Sequence, residues 1–431
     1  MTIESICLKN GRIIDPANGR DEIGDLLIVQ GKCSTPAPAA SLPSGTRVID
    51  ATGTWVMPGL IDMHVHLRDP GEEYKETIQS GALAAAAGGF TAVACMPNTK
   101  PVIDSEDIVA RIVEKARKAC VRVYPVGAIS KGCKGEALAE FGEMKEAGAV
   151  AFTDDGLPVT NSQLMRRALQ YASNYDLVII SHSEEVSLSE NGAMNEGVWS
   201  TRLGLRGIPV AAEAVAVYRD LSLAMSTGCP VHLAHISTKE SVDLIRRAKA
   251  DGCQVTAETA PHYYSLTEEA VGQYNTYAKM NPPLRTQSDL DAIRGALADG
   301  TIEVIATDHA PHSDMEKILE FDKAANGIIG LETSLPLTLA LVREKVIDAS
   351  KMVEVMSVNP ARILGVAGGS LAEGAIADVT VVDPERQFTY ERESVVSKSK
   401  NSPFFGKQLT GKAVMTIVGG KVVFDQMGDG G

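Results

Sequence analysis

Apolar positions along this chain fall into two textures. Between about residues 58 and 365, near-continuous apolar runs alternate with stretches of helical periodicity. Eight such runs stand at 59–64, 90–95, 121–126, 148–153, 176–182, 230–235, 254–259 and 303–308. Parallel strands covered on both faces read this way, because neither face meets water. The intervening stretches, such as 105–119, with Ser and Asp at its start, and 161–175, read as helices. An open doubly wound sheet would also alternate, but eight well-spaced β-then-α units fit a closed (β/α)8 barrel of the TIM type better.

The two ends read differently. Residues 1–57 carry short β-like runs at 3–8, 12–15, 26–29 and 47–50, the first two separated by the turn pair Asn10-Gly11. Residues 366–431 repeat that texture, with runs at 377–382, 413–418 and 421–424 bounded by Asp383-Pro384 and Gly419-Gly420. Such punctuation is the signal of strands and turns. Neither end has enough strands to close a core alone, so both are predicted to pair into one small β-sandwich domain. The predicted division is 1–57 and 366–431 for that domain and 58–365 for the barrel.

Charge and cysteine content narrow the function classes. In 431 residues, 41 Lys+Arg against 55 Asp+Glu give a net charge of −14. With no basic stripe, the chain is a poor binder of nucleic acid or anionic membrane. Every long apolar run is broken by Gly, Asp or Lys, which argues against a membrane span, and the first residues lack the cationic start of a secretory signal. The seven cysteines are odd in number and include no CxxC pair. They fit buried thiols in a reducing, cytoplasmic setting better than disulfides or a thiolate zinc site.

The chemistry concentrates at the predicted strand ends. His64 and His66 close the first run. Residues i and i+2 of a strand point the same way, so both imidazoles can share one metal ion. His182 ends the fifth run, His235 the sixth and Asp308 the eighth, while Asp154 and Asp155 follow the fourth. Active sites of such barrels assemble at the C-terminal strand ends. Imidazole and carboxylate donors without thiolate suit zinc or another divalent first-row ion, and the ligands suffice for one or two ions.

With these residues in view, the chain resembles the amidohydrolase superfamily and, within it, the longer bacterial type of dihydroorotase. The resemblance rests on Asp62-Met63-His64-Val65-His66-Leu67-Arg68, Met96-Pro97-Asn98-Thr99, Phe152-Thr153-Asp154-Asp155-Gly156, Lys279-Met280-Asn281-Pro282-Pro283 and Thr307-Asp308-His309-Ala310-Pro311-His312. It covers essentially the whole chain. Hydantoinases, dihydropyrimidinases and allantoinases place a carboxylated lysine after strand four. This chain has no lysine there, and the resemblance implies Asp155 in its place, with Asp154 as the alternate.

The resemblance implies a zinc-dependent enzyme interconverting N-carbamoyl-L-aspartate and L-dihydroorotate in pyrimidine biosynthesis. The rival readings are a hydantoin- or allantoin-type amidohydrolase and a non-catalytic scaffold for aspartate carbamoyltransferase. His64, His66 and Asp308 would hold one zinc ion, His182 and His235 a second, with Asp155 shared. Asp308 would also carry the proton between attacking water and the ring nitrogen. Arg68, two residues beyond His66, can grip the substrate carboxylate in a two-point fork. Asn98 and His312 are the other expected carboxylate contacts, and Asn281 the partner of the ureido portion. Residues 313–330 resemble a mobile loop that closes through backbone groups such as Gly327, with Asn326 where a Phe is common. His232 and His262 are expected either in packing or behind the ligands, Glu258 behind the ligands or in an ion pair, and His309 pointing away from Asp308. Family membership also implies a homodimer and possible association with aspartate carbamoyltransferase.

Overall fold

The computed structural model describes residues 4–34 and 42–427. Ile3, the first residue of the run 3–8, lies outside the described residues. The chain opens with five strands: β1 (Ile6–Asp15), β2 (Arg20–Val29), β3 (Lys32–Ser34), β4 (Arg47–Asp50) and β5 (Trp55–Pro58). The runs 3–8 and 12–15 are one strand rather than two. Asn10 takes a left-handed φ of 61°, and the register against β2 slips between Leu8 and Gly11. Asn10-Gly11 therefore makes a bulge instead of a reversal, because one left-handed residue inserts an extra position without turning the chain back. The bulge lets β1 serve two parallel partners, β4 along Ile6–Lys9 and β5 along Arg12–Ile13.

The barrel follows. Its strands are β6 (Leu60–Val65), β7 (Phe90–Cys95), β8 (Arg122–Pro125), β9 (Ala151–Phe152), β10 (Val178–Ser181), β13 (Val231–Leu233), β14 (Val255–Thr259) and β15 (Val304–Ile305), with a short ribbon of β11 (Met194–Asn195) and β12 (Gly207–Ile208) inserted after the fifth. Seven lie within the predicted runs and β6 passes the end of its run by one residue, Val65; neighbours pair in parallel. Bridges Gly127–Phe152 and Val65–His309 join the two arcs into a closed cylinder. Side chains alternate as a covered strand requires: Ile179 packs outward against the helical layer, while Val178 and Ile180 meet Met63, Ala94, Ala151, Ala234 and Val304 inside the barrel. Helices cover the outside, and their starts obey the capping chemistry. Asn161 accepts the N–H groups of Gln163 and Leu164 at the head of Ser162–Ser173, and Thr77 caps Ile78–Ala87.

The last strands, β16 (Val379–Thr389), β17 (Gln408–Val418) and β18 (Lys421–Asp425), return to the N-terminal sheet. The order is β18-β17-β16-β5-β1-β2-β3, with β4 on β1. Ile6, Leu8, Ile13, Leu26, Ile28 and Val56 from one end pack with Val379, Val381, Met415 and Ile417 from the other in one core. The resulting β-sandwich rests on the barrel. Arg122 of β8 makes a two-point contact with the buried Asp378, and Thr416 donates to Ala86 O at 2.7 Å.

Candidate metal centre and active site

Local irregularity at the strand ends aims the functional side chains. The register of β6 against β7 slips between Asp62 and Val65. Buried Asp62 fills the gap, its Oδ1 accepting the N–H groups of both His64 and Thr307 at 3.1 Å. Arg68, His235 and Asp308 all have positive φ, at 56°, 35° and 48°. Non-glycine residues rarely adopt this region, and such strain gathers where side-chain direction matters more than backbone comfort.

The predicted ligands converge. Asp155 is central: its Oδ1 lies 3.3 Å from His64 Nε2, 3.3 Å from His182 Nδ1 and 3.6 Å from His235 Nε2, and its Oδ2 lies 3.4 Å from His66 Nε2. Asp308 Oδ1 stands 3.1 Å from His66 Nε2 and 3.7 Å from His64 Nε2. Two triads, His64–His66–Asp155 and Asp155–His182–His235, each bring their donor atoms within 4.8 Å of one another. Asp154, the alternate, turns away. It accepts from the backbone and hydroxyl of Ser130, and burial raises its pKa. Asp155, although buried, stays well below the usual carboxylate range among the histidine rings.

Hydrogen bonds behind the rings fix which nitrogen faces inward. His64 Nδ1 donates to Glu258 Oε1 at 2.6 Å, and Glu258 Oε2 lies 3.2 Å from His232. His66 Nδ1 donates to Asn98 Oδ1 at 2.9 Å, and His182 Nε2 donates to Glu184 Oε2 at 2.9 Å. Each ring thereby presents a bare lone pair to the centre, the arrangement that a metal-binding imidazole needs. His64 Nε2 is buried without a hydrogen-bond partner. Ring nitrogens and carboxylate oxygens crowd together here, His235 Nε2 standing 2.8 Å from His182 Nδ1, and a divalent cation would satisfy such a set. The donor set fits such an ion.

Beside this cluster lies a cavity of about 230 Å3 lined by Arg68, Asn98, Asn281, Asp308, His312 and Gly327, among others. Arg68 donates to Pro311 O at 3.2 Å and to His312 Nε2 at 3.2 Å. Burial, then the neighbouring Arg68 charge, push His312 down to about 2, so its ring is neutral and acts as Arg68's acceptor. Asn98 was expected to meet the substrate carboxylate. It lines the cavity, where its carboxamide oxygen accepts from His66 Nδ1 and its nitrogen donates to Asp155 O at 3.2 Å. Asn281 reaches the cavity wall with its nitrogen on Glu184 Oε2 at 2.9 Å. Gly327 has φ 112°, and a Cβ there would stand 2.5 Å from that of Ala310. The segment 313–330 is tied down in this structure: Phe321, Ile328 and Ile329 are buried, and Asn401 donates to Gly327 O at 3.1 Å.

Glu184 escaped the sequence reading. It lies two residues beyond His182 on the same face, the spacing that linked His64 to His66, and that parity was the available signal. Burial opposes its charge, yet the hydrogen bond and charge of His182 hold its carboxyl down at about 2. His309 does point away from Asp308, its Nδ1 accepting from Gly330 N at 3.1 Å. His262 is buried and packs edge-on against Tyr263.

Known proteins fall in line with this geometry. A dihydro-orotase-like family profile matches residues 53–241. Dihydroorotase from Geotalea daltonii is 60% identical over 97% of this chain and 99% of its own, and that from Desulfotalea psychrophila is 59% identical over 96% and 98%. Among solved structures, L-hydantoinase from Arthrobacter aurescens superposes with a TM-score of 0.87 at 27% identity, covering 98% of this chain and 96% of its own. D-hydantoinase from Thermus sp. gives 0.84 at 25%, with the same coverage. The fold is thus the amidohydrolase barrel with its β-sandwich, and identity of this extent along nearly the full length places the chain in the dihydroorotase family.

Proposed function

We propose that this cavity interconverts N-carbamoyl-L-aspartate and L-dihydroorotate, with His64, His66, Asp155, His182, His235 and Asp308 as ligands of two zinc ions. The observation that carries the reading is Asp155, set between two histidine pairs beside a cavity lined by the half-buried Arg68. A divalent ion bound there supplies a Lewis acid for the ring carbonyl and brings the pKa of water from 15.7 toward about 7.

The chain's own groups supply the rest. Arg68, braced by Pro311 O and His312, takes the substrate carboxylate, the feature that hydantoin and allantoin lack. Asn281 offers its carboxamide to the ureido portion from one wall, and the backbone at Gly327 closes the opposite wall. Asn98, which also bonds His66 and the Asp155 backbone, and His312 are the further carboxylate contacts in this proposal. Asp308, at the cavity surface with its carboxylate near the two histidines of β6, receives the proton of attacking water and delivers it to the departing ring nitrogen; ring closure reverses the transfer. The divisions 1–57 with 366–431, and 58–365, are proposed as sandwich and catalytic barrel. A cytoplasmic homodimer, with aspartate carbamoyltransferase as possible partner, completes the proposal. No described helix is long and apolar enough to cross a membrane.

Ring opening of dihydroorotate, hydantoin and allantoin, assayed side by side, tests the reading. Turnover of dihydroorotate alone supports it. Turnover of hydantoin alone overturns it, and a metal-loaded chain inert on all three points to a scaffold.

A further inference from the structure

Two lysines that this chemistry does not use are buried beside the cavity. Lys317 is 1% exposed and Lys279 5%, and among the described residues neither forms an ion pair. Burying an ammonium group without compensation costs several kcal/mol, so what surrounds each must satisfy it. Lys317 Nζ donates to three backbone carbonyls, Ala325 O at 2.7 Å, Thr276 O at 3.0 Å and Lys279 O at 3.3 Å. Three is the number of donors an ammonium has. Lys279 Nζ donates to Ala324 O at 2.7 Å and Asp322 O at 3.0 Å, and stands 5.7 Å over the ring of buried Phe321. Between the two lysines, Gly327 N donates to Lys279 O at 2.9 Å.

These bonds join two separate stretches of chain. One, around Thr276–Lys279, leads directly into Asn281; the other, Asp322–Ala325, leads directly into Asn326 and Gly327. Asn281, Asn326 and Gly327 line the cavity. Neither stretch is regular structure at these points: 279–283 and 322–327 contain no helix or strand, so a ladder of backbone bonds does not hold them. The ammonium groups tie the two stretches together, and Ala324 O, Ala325 O and Asp322 O accept from them in a setting where a carbonyl needs a partner.

We propose that Lys279 and Lys317 form a clamp that sets the Asn281 wall and the Asn326–Gly327 wall at a fixed separation, making both lysines positioning residues for substrate. The inference rests on the reading of this cavity as the substrate site. A clamp of this kind acts on binding rather than on the proton transfer at Asp308, because its bonds end on the walls and not on the metal ligands.

Lys317→Met and Lys279→Met, which keep the stem and remove the donors, test it in the metal-loaded full chain. Hydrogen–deuterium exchange should quicken by about tenfold within 276–283 and 313–330 and stay near the unmodified rate elsewhere. KM for dihydroorotate should rise by about tenfold or more with kcat within about threefold and bound metal unchanged. An unaltered KM with unaltered local exchange overturns the clamp. So does exchange that quickens evenly over the barrel with loss of metal, or failure of both variants to fold, since either marks a general structural role. Lys279→Met carries the test if Lys317→Met alone is insoluble. Should the unmodified chain leave dihydroorotate untouched, the substrate reading falls while the exchange result still judges the clamp.

Discussion

Asp308 stands in a left-handed conformation at the barrel mouth with His66 and His64 within 3.7 Å, where one carboxylate can serve both ion and proton. Asp308→Asn keeps the shape and removes the base; kcat should fall by roughly 10²–10⁴-fold with the circular dichroism spectrum unchanged. In the proposed reaction Arg68 acts earlier, on binding. Substrate bound in the cavity would cover the half-buried Arg68, and removing the partner of a carboxylate enclosed in this way costs about 2–5 kcal/mol, so Arg68→Ala should raise KM for dihydroorotate by at least roughly tenfold with a smaller effect on kcat. An unchanged KM would remove Arg68 from the substrate site. Glu258 tests the residues behind the ligands: Glu258→Ala should weaken metal binding by roughly 10–100-fold in competition with a chelator, because His64 loses the acceptor that fixes its tautomer.

At the scale of elements, the eight barrel strands were legible because a strand buried on both faces must be apolar throughout, and their ends were legible because His64, His66, His182, His235 and Asp308 interrupt that rule. What the periodicity could not show is how the ends are bent. The slip between Asp62 and Val65 depends on a carboxylate bonding Thr307 at the end of the adjoining eighth strand, and the bulge at Asn10-Gly11 on β1 having two partners at once. Neither is a local property of the sequence. The proposed lysine clamp was hidden for a similar reason: the partners of Lys279 and Lys317 are carbonyls that any residue type would offer. Packing between elements makes its own prediction at Gly89, where φ is 89° and a Cβ would stand 2.8 Å from Thr380 Cγ2 and 3.1 Å from Ala413 Cβ. Gly89→Ala should destabilise the fold by about 2–4 kcal/mol, from left-handed strain plus overpacking at the sandwich–barrel seam, read as a lower melting temperature. Activity per folded molecule should be preserved, since the seam lies at the opposite end of β7 from the ligands.

For the whole molecule, the two ends of the chain build one sheet around one core, and the middle builds the barrel that carries the site. The central claim is that the acceptors meeting at Asp155 hold divalent metal and that this metal is required for turnover of a carboxylated ring. The most direct measurement is activity on dihydroorotate against metal bound per chain, determined by elemental analysis as a chelator-stripped sample is titrated with zinc. The account predicts a folded but inactive stripped protein, with activity rising in step with occupancy. Full turnover of dihydroorotate by a chain shown to carry no divalent metal would contradict it.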